Sequence, residues 1–171
     1  MTAVAGGLVQ SADVTTIAAL TTGRPLVRLI QQSAQSIPNN ANTALTFGAG
    51  SEDIDTHNYH DPSTNTSRIT PLLAGYYRVT CTFWLSSSTP SGVNLQVFAG
   101  KNGAIQPSGF RLNYTAAVAS ARSVFCSSML SANGSTDYFE AIALQATGGA
   151  VNSQIGGGIN SVLEVEFLRP L

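Results

Sequence analysis

The chain has 171 residues, with eight Lys plus Arg, nine Asp plus Glu and a net charge of −1, a size at which one domain can bury a full core. Charged residues are only 10% of it, against about a quarter in an ordinary globular protein, and Ser, Thr, Asn, Gln, Ala and Gly fill the gap. Lys101 is the only lysine and seven arginines are scattered, which excludes a nucleic-acid partner, and no run approaches the ~18 apolar residues of a membrane helix.

At the amino end, Met1 to Gly7 lacks the basic start and apolar core of a secretion signal, so synthesis in a cytoplasm is expected. A short helix is predicted next. Ser11 serves as N-cap and Asp13 sits in the first turn. Val14, Ile17, Ala18 and Leu20 then share one face, and Gly23 with Pro25 supplies a stop. A helix of about ten residues is marginal alone, so residues 1–25 are expected to dock on something. Val14, Ile17 and Leu20 are the candidate attachment residues.

From Leu26 the pattern turns to period two, the signature of half-buried strands. Predicted strands are Leu26–Gln32, Thr43–Phe47, Arg68–Thr70, Tyr76–Leu85, Val93–Ala99, Phe110–Thr115, Arg122–Leu130, Tyr138–Thr147 and Ile159–Leu168. Within them Tyr77, Val79, Cys81, Phe83 and Leu85 alternate with polar neighbours, as do Leu163, Val165 and Phe167. Asn102-Gly103 and Asn133-Gly134 predict turns with positive φ at both positions. About ten short strands with such punctuation point to an all-β sandwich or jelly roll over residues 26–171. The sparse charge further suggests that neighbouring subunits cover much of the surface.

Both histidines fall in one acidic stretch with Asp53, Asp55, His57, His60 and Asp61. Imidazole with carboxylate suits a metal ion, but Asn58 and Pro62 equally mark a plain connecting loop. These five are candidate ligands only, and no cofactor is expected. Catalysis finds no Gly-x-Ser-x-Gly, His-Glu-x-x-His or Cys-x-x-Cys pattern. Gly148-Gly149 and Gly156-Gly157-Gly158 lack the partner residues of a phosphate cradle and read as loops. Asn65, Asn113 and Asn133 begin glycosylation triplets of the kind chance supplies in such a composition. Trp84, Tyr76, Tyr77 and Tyr114 are candidates for a sugar-binding surface or for packing. Cys81 and Cys126 read as buried thiols; a bond between them needs adjacent strands, which spacing does not settle.

The order of motifs resembles the globular heads of the tumour necrosis factor and complement component-one-q superfamily, in the versions found in phage virion proteins. It is carried by Gln35-Ser36-Ile37-Pro38-Asn39-Asn40 with Thr43-Ala44-Leu45-Thr46-Phe47, similar to an opening strand, turn and return strand. His60 to Thr70 and Ala74-Gly75-Tyr76-Tyr77-Arg78-Val79 follow, the latter like the "Pro-Gly-x-Tyr" that begins the long central strand. Lys101-Asn102-Gly103, Asp137-Tyr138-Phe139-Glu140-Ala141 and Ser161 to Leu168 complete the match. Gly134-Ser135-Thr136 interrupts the usual Gly-Asp pair, and no collagen-like stalk precedes the head. The resemblance implies a ten-strand jelly roll that assembles as a homotrimer. It further implies a non-enzymatic part of a tailed bacteriophage virion, a capsid decoration, head fibre or minor tail protein. Its partner would be the major capsid or tail protein, reached through residues 1–25. The alternative is a module that recognises a host-surface glycan or receptor.

Overall fold

The computed structural model describes residues 23–86, 93–107, 109–114 and 121–171; the expected helix with Val14, Ile17 and Leu20 lies outside them. The described residues form no helix and twelve strands: β1 (Leu26–Ile30), β2 (Ser36–Ile37), β3 (Thr43–Ala44), β4 (Glu52–Asp55), β5 (Ala74–Leu85), β6 (Val93–Lys101), β7 (Ala104–Ile105), β8 (Phe110–Tyr114), β9 (Arg122–Asn133), β10 (Phe139–Gln145), β11 (Val151–Asn152) and β12 (Val162–Pro170). One sheet runs β4-β1-β12-β5-β9. The second runs β3-β10-β6, with β7 and β8 both pairing β6, and β11 pairs β2 separately. The last long strand therefore lies between β1 and β5, a crossover that makes the sandwich a jelly roll.

Strict alternation builds the core. Along β5 every second residue from Gly75 to Leu85 is buried, and β12 buries Leu163, Val165 and Phe167 against it. The second sheet contributes Leu95, Val97, Ala99, Phe139, Ala141 and Ala143. Tyr77 sits at the centre, its ring centroid 5.3 Å from Phe167 and 5.7 Å from Phe139. Its hydroxyl donates to Leu73 O at 2.6 Å, which satisfies the one polar atom of an otherwise apolar side chain. Burial and the adjacent Tyr59 push that hydroxyl's pKa up.

Gly75 of the Ala-Gly-Tyr-Tyr motif has a steric reason to be glycine. A Cβ there would lie 2.6 Å from Arg169 O and would collide with the Phe167 ring. Asn102 and Gly103 both adopt positive φ, 53° and 77°, and they close the β6–β7 hairpin as expected.

Four expectations change. The strands number twelve rather than ten among the described residues, because two-residue pairs such as β7 and β11 carry no periodicity to read. β2 and β3 do not form a hairpin: β2 pairs β11 and β3 pairs β10. Arg68–Thr70 is not a strand, although Ile69 bridges both His60 and Phe139. Asn133 ends β9 and only Gly134 has positive φ, 75°. The Asn133 side chain instead accepts from the backbone N–H groups of Ser135, Thr136 and Asp137, building a capped loop where a two-residue turn was expected.

Candidate functional site

The acidic stretch is spent on the fold. β4 pairs with β1 at the sheet's end, and Asp53 accepts from Arg28 at 2.8 Å. Asp55 turns back to accept from the N–H groups of His57, Tyr59 and His60 at 3.2, 3.1 and 2.9 Å. Buried His60 faces a carbonyl oxygen with each ring nitrogen, Nδ1 at 2.9 Å from Arg68 O and Nε2 at 2.8 Å from Phe47 O. His57 Nδ1 contacts the Thr56 hydroxyl at 2.7 Å. Asp61 receives the Ser63 hydroxyl and the N–H groups of Ser63 and Thr64, which hold its carboxyl below the usual carboxylate range. Among the described residues no three His, Cys, Asp or Glu side chains are placed to hold a metal ion. The five candidates are neighbours in sequence, but they are directed to separate backbone and side-chain partners.

A polar groove lies beside that loop. It encloses ≈ 440 Å³, with Asn58, Asp61, Asn65, Arg68, Leu72 and Tyr138 among its lining. A second hollow of ≈ 410 Å³ shares Arg68 and Tyr138 and adds Asn42, Ile105 and Glu140. The Arg68 guanidinium lies 4.1 Å from the Tyr138 ring centroid, a cation–π contact, and 3.8 Å from the Glu140 carboxylate. Buried Glu140 also accepts the Ser67 hydroxyl at 2.7 Å. Sequence reading missed this pair, because its halves are seventy positions apart and meet only through the Ile69–Phe139 bridge.

The third feature is the outward face of the β4-β1-β12-β5-β9 sheet. Arg28 there meets Asp53 and Glu164, and Arg78 meets Glu166 at 3.2 Å. Arg24 approaches Glu166 at 3.9 Å. Exposed pairs of this kind contribute little stability, but they set three arginines against three carboxylates in a belt across the face. Beside them, on the outermost strand β9, Phe125 is 63% exposed and Met129 67%. Their register neighbours are Thr82 and Arg78 on β5. The sequence does signal these two residues: on a period-two strand whose inward set is Val124, Cys126, Leu130 and Ala132, apolar residues also occupy the outward set. Of the aromatic candidates, Tyr77 is wholly buried. Tyr76 and Trp84 share this outward face but stand at opposite ends of β5, about 26 Å apart at the usual strand rise, and Tyr76 stacks under Arg169 at 4.5 Å. They do not converge on a groove.

No protein-family model matches the chain, nor does any curated protein sequence. Solved structures do match in shape. Eiger TNF from S. frugiperda superposes with a TM-score of 0.57 at 12% identity, covering 86% of this chain and 94% of its own. Murine APRIL at pH 5.0 gives 0.55 at 9% identity and at pH 8.0 gives 0.56 at 10%, each time covering 85% of this chain and 99% of that one. The fold is a TNF-like jelly roll. At these identities the likeness establishes architecture and leaves function to the residues.

Proposed function

We propose that this chain is a non-enzymatic structural knob that closes into a homotrimer through the outward face of the β4-β1-β12-β5-β9 sheet. Residues 1–25 then fix it to the surface of a tailed bacteriophage particle, as a capsid decoration, head fibre or minor tail protein. The observation that carries the reading is the pairing of two large, exposed apolar side chains, Phe125 and Met129, with a belt of paired charges. Such a face is costly in water and complementary to further copies of itself. The low overall charge and the likeness of motif order to phage virion heads point the same way. Removing residues 1–25 is expected to leave a soluble trimer that no longer joins particles. Particles that still take up the truncated protein would refute the attachment role.

A second reading is favoured by the Arg68–Tyr138 groove. An aromatic ring, a guanidinium and several side-chain amides and hydroxyls suit a host-surface glycan. Binding of the isolated knob to a glycan array, abolished by Tyr138→Ala, supports recognition; no binding to glycans of the true host rules it out.

A further inference from the structure

Cys81 on β5 and Cys126 on β9 are direct register partners in the antiparallel ladder. Both side chains point into the core, Cys81 wholly buried and Cys126 4% exposed, and both are free thiols. Directly opposed residues of an antiparallel pair have Cα atoms about 4.5 or 5.5 Å apart, depending on the ladder position. A disulfide spans about 4.4–6.8 Å between Cα atoms and about 3.5–4.5 Å between Cβ atoms; a directly opposed pair meets the first span, and its Cβ atoms, about 4.5–5.5 Å apart, need only a small closing movement to bring the sulfurs together. β9 is also the terminal strand of its sheet, and a terminal strand opens at less cost than an interior one.

We propose that Cys81 and Cys126 form a cross-strand dithiol that a hydroperoxide converts to a disulfide, clamping the outermost strand β9 to β5. Cys126 reacts first. It lies on the terminal strand β9 and is the less deeply buried of the two, 4% exposed against 0%, and the Cys81 thiol, held protonated by its contact with Cys126 and by burial, favours the thiolate on Cys126. The Cys126 thiolate attacks one peroxide oxygen, the O–O bond breaks, and the departing hydroxide takes up a proton, leaving a sulfenic acid. The Cys81 sulfur then attacks the Cys126 sulfur. The S–O bond breaks, an S–S bond forms, and water leaves with the Cys81 proton. One peroxide is thereby reduced as two thiols are oxidised. The clamp would hold the register of the strand that carries Phe125 and Met129, whatever partner that strand meets.

The test treats the native full chain with hydrogen peroxide, then denatures it, alkylates free thiols and maps its peptides. The expected product is a peptide pair joined at Cys81 and Cys126, with both thiols lost to alkylation and recovered by dithiothreitol. Oxidation of exposed Met129 adds an oxygen to a separate site and is read independently. The clamped protein is expected to melt roughly 5–15 °C higher. Thiols that remain alkylatable, sulfinic acid without the joined peptide, or a bridge between two chains would each overturn the proposal. A joined peptide with a lowered melting temperature would overturn the clamp. Because the cross-linked peptide comes from the wild-type protein, no variant has to fold; Cys81→Ser is expected to stop at a Cys126 sulfenic acid that dimedone traps, and a Cys126 thiol left unmodified by peroxide in that variant would contradict its assignment as the first to react.

Discussion

Replacing Phe125 and Met129 together by serine tests the sheet face as a self-association surface. About two-thirds of each side chain is exposed in the single chain, 63% and 67%. Full burial of such a side chain is worth about 1.5–3 kcal/mol, so covering the exposed part yields roughly 1–2 kcal/mol per residue. The pair then contributes about 2–4 kcal/mol per protomer and about 6–12 kcal/mol per trimer. The half-dissociation concentration of a trimer follows the square root of its dissociation constant. The double variant is therefore expected to need a roughly hundred- to ten-thousand-fold higher concentration to remain assembled. Sedimentation velocity across a dilution series reads this midpoint, and circular dichroism checks that the sheet is unchanged. Leu72→Ser is the control, since Leu72 is also exposed, at 61%, but lies in the groove. An unshifted midpoint for the double variant, or an equal shift for the control, would refute the reasoning.

Three further outcomes are expected. Gly75→Ala forces a methyl against Arg169 O and the Phe167 ring and should cost about 1–3 kcal/mol by thermal unfolding; an unchanged melting temperature contradicts that contact. His60→Ala leaves the Phe47 and Arg68 carbonyls without their imidazole partner and should cost about 2–4 kcal/mol, while zinc added to the wild type should not move its melting temperature; a zinc-induced rise would restore the metal reading. Asp137 is held below its ordinary 3.8 by the Asn102 amide, then by Lys101 and the Asn133 N–H. A carboxylate depressed in the native state stabilises it fully above the unfolded value, and that contribution fades as pH falls from about 3.8 toward the lower native value. Asp137→Asn should therefore flatten the acid limb of a stability-against-pH curve, and an identical limb would show that the loop does not depend on this charge.

The long strands were legible because one face of each is wet. β5, β6, β9 and β12 alternate cleanly and were located within a few residues. β4, β7 and β11 escaped for two physical reasons, whereas β2 was expected and only its partner differs. β7 and β11 are only two residues long, and β11 pairs a remote strand, Val151–Asn152 lying against Ser36–Ile37. β4 reads Glu-Asp-Ile-Asp, a sequence with poor strand propensity, and β1 supports it through a ladder on one side only and through the Arg28–Asp53 pair. The acidic histidine stretch misled in the opposite sense. Residue types suited to a metal were clustered in sequence, yet Asp55 and His60 are consumed by backbone groups that no spacing rule reveals. The meeting of Arg68 with Tyr138 was equally hidden, since it depends on which loops the crossover brings to one end of the sandwich. The apposition of Cys81 and Cys126 was half visible: both were assigned to inward positions of strands, and only the ladder supplies their register.

Assembly of the purified protein is measured most directly by sedimentation equilibrium, which gives mass without assuming shape. A species of three chains, dissociating only on strong dilution, is expected from the apolar and charge-paired sheet face. A single-chain mass that persists at high concentration would contradict it.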